Sequence, residues 1–280
     1  MIKKKKIRML FILVLLFLLL AALSRYLTPY DPYAQDLSSA LQKPSAAHLF
    51  GTDRYGRDLF SRVIVGAQST VFSALILVLI TSVIGTVIGS ISGYFGGVAD
   101  TILMRISDIF LAFPGMVFAI AVAGVLAGGL KTAVLALVVI SWPKYARMSR
   151  SQVLVEKEKA YFIAAKLSGT SPVKLIWRHL FPNIMGIMTV TTVLDIGTMI
   201  MEIASLSFLG MGATAPLAEW GAMMSNGRSM IQTSPWVVLA PGLGIFISVA
   251  LFNLFGDALR DHLDPKGVTI RRTNWKRKQY

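Results

Sequence analysis

Residues 144–183 read KYARMSRSQVLVEKEKAYFIAAKLSGTSPVKLIWRHLFPN, a polar stretch between two strongly apolar ones, and they decide the architecture. Eight Lys or Arg lie between Lys144 and Arg178, too many for a membrane-embedded segment and too long a span of chain for a simple turn. Glu158 to Leu167 predicts a helix, with Tyr161, Ala164, Ala165 and Ser168 at helical spacing. Gly169 ends it, because glycine takes the left-handed conformation that terminates helices. Ser171-Pro172 predicts a restart, with Ser as N-cap and Pro at the first helical position. Leu175, Ile176 and Leu180 give the second helix an apolar face, and Pro182 is expected to close it. The stretch reads as a helix–glycine turn–helix hairpin, a projection suited to touching another protein.

What flanks the hairpin is apolar. The 280 residues are 55% hydrophobic and 15% charged, with mean hydropathy +0.65, whereas a soluble domain carries about 25% charged residues. Net charge is nevertheless +14, from 28 Lys+Arg against 14 Asp+Glu. Nucleic-acid binding would use such charge on a soluble basic face; a hydrophobic chain with clustered positive charge instead predicts a polytopic helical membrane protein and no nucleic acid. The lipid bilayer is its first partner. An apolar run from Met9 to Leu23 follows a tail of four lysines and Arg8. It is read as an uncleaved anchor, although Ala22-Leu23-Ser24 would also serve as a signal-peptide cleavage site. Further spans are expected at about 71–93, 106–128, 131–148, 184–210 and 236–256, each near the roughly 20 residues a crossing needs.

Six spans put both termini on one side, and basic residues choose which. With the termini inside, 21 of 28 Lys/Arg fall on the inner face, the positive-inside pattern. The segment Thr28–Ser69 balances four basic residues against Asp31, Asp36, Asp53 and Asp58. The divisions are 1–27 (basic tail and anchoring span), 28–68 (external segment), 69–257 (membrane core, with the hairpin loop at 144–183) and 258–280 (cytoplasmic basic tail).

Within the spans, Gly85, Gly89, Gly93 and Gly97 recur every fourth residue and form a bare stripe for close backbone approach, within the bundle or against another subunit. Pro114 and Pro143 remove helix hydrogen bonds that protein neighbours must compensate. Asp108, Asp195 and Glu202 lie in apolar surroundings, where an acid costs about 2.5–3.5 kcal/mol on insertion scales and so faces a cavity or a partner. Asp195 and Glu202 are two turns apart on one face, with Thr191, Thr198 and Ser205 beside them. They are candidate path-lining residues; pairing with Arg105, a backbone amide or another subunit is the alternative. Met185, Met188, Met199 and Met201 are soft donors, yet Met in a span more often fills gaps. His48, His179 and His262 are far apart in sequence, and there is no cysteine, so no metal site or cofactor is expected. No H-E-x-x-H or G-x-S-x-G pattern supports an intramembrane enzyme.

Ile163-Ala164-Ala165, then Gly169, then Arg178-His179-Leu180-Phe181-Pro182-Asn183 resembles the coupling-loop motif of ABC-importer permeases, with Ile163 in place of the family's Glu and Phe181 in place of its Leu. Gly51-Thr52-Asp53, Gly56-Arg57-Asp58, Ser61-Arg62, Leu206–Gly210, Glu219-Trp220-Gly221, Phe252-Asn253-Leu254 and Gly256–Asp261 look like permeases for dipeptides, oligopeptides and nickel. Leu194–Gly197, Thr214-Ala215-Pro216 and 261–265 look most like the nickel permeases, although Thr198 and Glu202 stand where some of those carry histidines. The resemblance implies a type I ABC importer permease fold, all-α with six transmembrane helices and a cytoplasmic coupling hairpin. It implies a second permease subunit, two ATPase subunits and an extracytoplasmic solute-binding protein, in a bacterial plasma membrane. Nickel, carried as a chelate, is the expected substrate; a dipeptide or oligopeptide is the alternative, and a proton-coupled secondary transporter a more distant one. Ala164, Ala165, Leu167, Gly169, Pro172 and Pro182 would form the coupling surface. The chain has no G-x-x-x-x-G-K-[ST] phosphate loop, so ATP hydrolysis falls to separate subunits.

Overall fold

The computed structural model describes residues 2–126 and 128–263. Most of the cytoplasmic tail expected at 258–280, including Asp264-Pro265, lies outside the described residues. The described residues contain eleven α-helices and no named strand. They are α1 (Ile2–Ala22), α2 (Ser24–Leu27), α3 (Leu59–Phe95), α4 (Gly97–Ala112), α5 (Gly115–Val125) and α6 (Leu130–Lys157). There follow α7 (Ala160–Leu167), α8 (Pro172–Lys174), α9 (Phe181–Phe208), α10 (Trp220–Gly227) and α11 (Trp236–Leu263).

Three helical stretches are individually long and apolar enough to cross a membrane: Leu59–Phe95, Pro172–Phe208 and Trp236–Leu263. The expected span at 106–128 is instead a broken pair, α4 and α5, bent by 90°. Pro114 is the cause: the residue before a proline is driven out of the helical region, and Phe113 takes φ −96°, ψ 146°. Counting that pair as one gives up to four candidate spans. The other two expected spans are helical but charged. Lys4, Lys5, Lys6 and Arg8 open α1, and Lys144, Arg147 and Arg150 interrupt α6. Pro143 does not break α6, which runs through it.

The glycine stripe packs inside the molecule. α3 lies along α6, and a Cβ on Gly85 would fall against Tyr145 and the Trp142 carbonyl, one on Gly89 against the Ala146 carbonyl. Ser90 and Ser149 hydroxyls meet at 3.0 Å across the same seam, and Ser149 donates to the Thr86 carbonyl at 2.9 Å. Gly97 is not part of it. It opens α4 at φ +56° with open space around it, because Gly96 ends α3 and turns the chain before the fourth repeat is reached.

α9 packs on α3, α6 and α11. α1 lies against α11 through Phe11–Phe255 and Phe17–Phe252 ring contacts. The segment 28–58 folds onto the end of α3 through buried charge: Asp53 accepts from Arg57 Nε at 2.7 Å, and Arg62 Nη1 donates to the Pro32 carbonyl at 2.8 Å. Asp58 caps α3 by accepting from the Ser61 amide at 2.8 Å, and its other oxygen pairs with His48 at 2.9 Å.

Candidate functional site: the hairpin and the intramembrane charges

The hairpin forms as the sequence indicates, with two differences. α7 begins at Ala160, because α6 continues as a helix to Lys157 before Lys159 turns extended. The polar stretch from Lys144 is therefore the lower half of α6, and the hairpin proper is shorter than forty residues. Gly169 takes φ +76°, which an L side chain resists. The amides of Ser168, Gly169 and Thr170 donate back to Ala164, Lys166 and Ala165. Pro172 opens α8 as expected, but the Ser171 side chain makes no capping hydrogen bond.

Pro182 does not close the second helix. The chain runs from α8 through a π-helical turn, Leu175–Leu180, directly into α9, so the hairpin's second arm is the start of a membrane helix. A proline deprives the carbonyl four residues back of its donor. Here the wider turn shifts the pairing, Phe181 N–H donating to the Ile176 carbonyl, and the Asn183 side chain donates to the His179 carbonyl at 2.6 Å. π-turns of this kind recur at functional sites.

Leu175 and Leu180 are buried and Ile176 packs beside them, as their spacing predicts. Phe162, which the sequence reading passed over, is the buried anchor of α7 and meets Tyr94 edge-on at 6.4 Å. Its signal was the i, i+3 step to Ala165. Polar contacts fasten the same base. Lys157 Nζ donates to the Gly93 and Tyr94 carbonyls at the end of α3, 2.9 and 2.8 Å away, a cation at a helix C-terminus. Tyr161 donates to Glu156 at 2.6 Å, and Lys159 Nζ lies 2.5 Å from the other Glu156 oxygen. Partial burial and that carboxylate push the Tyr161 phenol up to about 12, so it remains a donor. At the free end Ile163, Leu167, Val173 and Trp177 are exposed, Leu167 by 83%. Ala164, Gly169, Pro172 and Pro182 are exposed too, and Ala165 is half-buried.

The three acids do not gather. Asp108 pairs with Arg147 on α6, not with Arg105, and both side chains are about half exposed. Asp195 is buried and held by Lys144, whose Nζ is 2.7 Å from each carboxylate oxygen. Glu202 Oε2 is buried and finds no hydrogen-bond partner among the described residues. Lys144 and Arg147 were counted only as charge in the sequence, since nothing in their spacing tells which acid of another helix they meet. Met188 and Met199 fill the core, and Met201 borders an apolar hollow of about 600 Å³ with Phe208, Met224 and Phe246. No group of three His, Asp or Glu among the described residues could hold a metal ion. The arrangement sets a projecting hairpin beside two ion pairs that join α6 to α4 and α9.

Residues 85–267 match the family described as "Binding-protein-dependent transport system inner membrane component". The chain is 45% identical over 255 residues to the probable D,D-dipeptide transport system permease protein DdpC of Escherichia coli (strain K12), covering 91% of this chain and 86% of that one. It is 42% identical over 263 residues to the nickel transport system permease protein NikC of the same strain, covering 94% and 95%. It is 40% identical over 266 residues to the dipeptide transport system permease protein DppC of Alkalihalophilus pseudofirmus, covering 95% and 88%. Inward-facing MetNI methionine ABC transporter structures share the fold at TM-score 0.53 and 19% identity, over 69% of this chain and 94% of theirs. With the hairpin and the long apolar helices in place, the match over most of the sequence is decisive: the chain belongs to the binding-protein-dependent transport system inner membrane components, in the group of dipeptide, nickel and glutathione ABC permeases.

Proposed function

We propose that this chain is one of two permease subunits of an ATP-driven importer and forms the translocation path with its partner. It crosses the membrane six times, as α1, α3, the α4–α5 pair, α6, α9 and α11, with both termini cytoplasmic. Two ATPase subunits seat on the hairpin through Ala164, Ala165, Leu167, Gly169, Pro172 and Pro182, and an extracytoplasmic solute-binding protein delivers the solute. The observation that carries this reading is the hairpin itself. Its tip is apolar and exposed, its base is fastened to the ends of α3 and α6, and its second arm continues into α9. A push at the tip is therefore delivered to three membrane helices at once.

Nickel carried as a chelate is the substrate reading taken from residues 194–197, 214–216 and 261–265. A dipeptide is the second, and the 45% identity to a relative named for D,D-dipeptides favours it. Asp108, Asp195 and Glu202 are the acids nearest the path in this reading. Uptake of labelled nickel against labelled dipeptide by the reconstituted complex separates the two. Import of either only with ATP and binding protein supports the importer; ATP-independent, proton-driven uptake would refute it.

A further inference from the structure

Asp195 sits twenty-three residues after Pro172 and thirteen before Phe208 in the continuous helical stretch that ends in α9, so at 1.5 Å per residue about 20 Å of helix separates it from the nearer end. That is the middle of a membrane helix. Lys144 reaches the same depth from α6, with both Asp195 oxygens 2.7 Å from its Nζ. The two are not equally placed. The Lys144 side chain is 50% exposed and Asp195 only 8%. The lysine side chain is the more outward of the pair, and the buried carboxylate stands behind it as counter-ion. Lipid tails do not receive a half-exposed ammonium at that depth, because intramembrane charges face a water-filled cavity or another protein. Arg147, one turn further along α6, is exposed on the same side with Asp108 beside it, so the charged face continues along the helix.

We infer that Lys144 lines the translocation path and meets a carboxylate on the passing solute, with Asp195 holding the ammonium in position. This rests on the reading of the chain as an importer permease. An ammonium has three donors; two are directed at Asp195, and the third is free for the solute. Because its charge is already balanced, the contact is weak enough to release, as transport requires. A peptide C-terminus or the carboxylates of a chelator around nickel meet this face favourably. A bare hydrated divalent cation meets an ammonium in front of the acid. The solute class assigned is therefore a small carboxylate-bearing solute, not a free metal ion.

The chain contains no cysteine, so Lys144→Cys introduces its one thiol. The test uses the complete complex in proteoliposomes with its binding protein, offered alanyl-alanine, nickel–citrate or hydrated nickel, and the wild-type complex treated with the same reagents as control. Water-soluble methanethiosulfonates are expected to label Lys144→Cys, and uptake to fall about tenfold with loss of the charge-assisted hydrogen bond. Aminoethyl methanethiosulfonate, which rebuilds an ammonium, is expected to restore most of that uptake; the methyl and sulfonatoethyl reagents are not. Lys144→Met/Asp195→Asn, which leaves no unpaired buried charge, is expected to assemble at wild-type amounts and remain impaired, and it decides the matter if Lys144→Cys fails to assemble. A thiol inert to hydrophilic reagents, rescue by the methyl reagent, or normal transport by the double variant would each overturn the inference. So would import of hydrated nickel undiminished in Lys144→Cys, although the importer reading would stand. If the wild-type complex imports none of the three, the substrate reading fails instead, and thiol reactivity still decides whether Lys144 faces the path.

Discussion

Gly85, Gly89 and Gly124 show how differently one residue type is used in this molecule. The first two lie where α3 and α6 backbones touch, and any side chain would fall on carbonyls that cannot move aside. Gly124 has open space around it. Gly89→Ala is therefore expected to destabilise the purified protein by about 1–3 kcal/mol, the cost of overpacking a close seam. Gly124→Ala should be neutral or slightly stabilising, since alanine favours a helix by about 1 kcal/mol over glycine. Melting temperatures of the two variants in one detergent check this, and equal losses would mean that the seam tolerates a methyl. The four-residue repeat was legible in the sequence, but its purpose was not. Internal packing and a subunit contact use the same stripe, and only the presence of α6 against it distinguishes them.

The hairpin carries two predictions at the scale of the element. Gly169 sits at φ +76° with nothing within 4 Å, so a substitution there is penalised by backbone conformation alone, by about 1–2 kcal/mol. Gly169→Val should insert normally yet lower ATPase association or substrate-stimulated hydrolysis, whereas Gly169→Asn, which tolerates the left-handed region, should lose much less. Equal behaviour of the two would show that the turn's geometry is not what the ATPase reads. Leu167 is the most exposed apolar side chain of the tip. Leu167→Asp should leave the melting temperature within about 0.5 kcal/mol equivalent, as surface changes do, while co-purification of the ATPase subunits falls severalfold. Retained co-purification would move the docking surface elsewhere. The turn, the restart at Pro172 and the apolar face were readable because they depend on local rules of φ and periodicity. The continuation past Pro182 was not, because a proline reads as a stop unless a π-turn re-pairs the carbonyls around it.

For the whole molecule, the partition of charge predicts the orientation: with Lys144 set apart as a residue within the membrane, 20 of 28 basic residues fall on the proposed inner side. A reporter fused after Lys159 should read cytoplasmic and one after Lys43 external; the reverse at either point would dismantle the six-span arrangement. The segment around Lys43 is folded, with Asp53, Arg57 and Asp58 buried: Asp53 accepts from Arg57, and Asp58 caps α3 and pairs with His48. α1 belongs to the same bundle through Phe11 and Phe17 against α11. That contact lies between residues more than 200 positions apart in the chain.

By itself the sequence determined that this is a helical membrane protein, where its long apolar stretches and glycine turn lie, and which segments of the chain gather the positive charge. Those properties are sums or repeats along the chain, and solvation and backbone sterics read them locally. The tertiary structure alone decided that Asp195 is held by Lys144 and Asp108 by Arg147, that the glycine stripe closes on α6, and that the hairpin continues into α9. Each of these depends on which helix lies beside which, and on the π-turn that carries the backbone through Pro182. Packing across the bundle sets them, because an ion pair or a close backbone contact exists only when two distant segments meet at one depth.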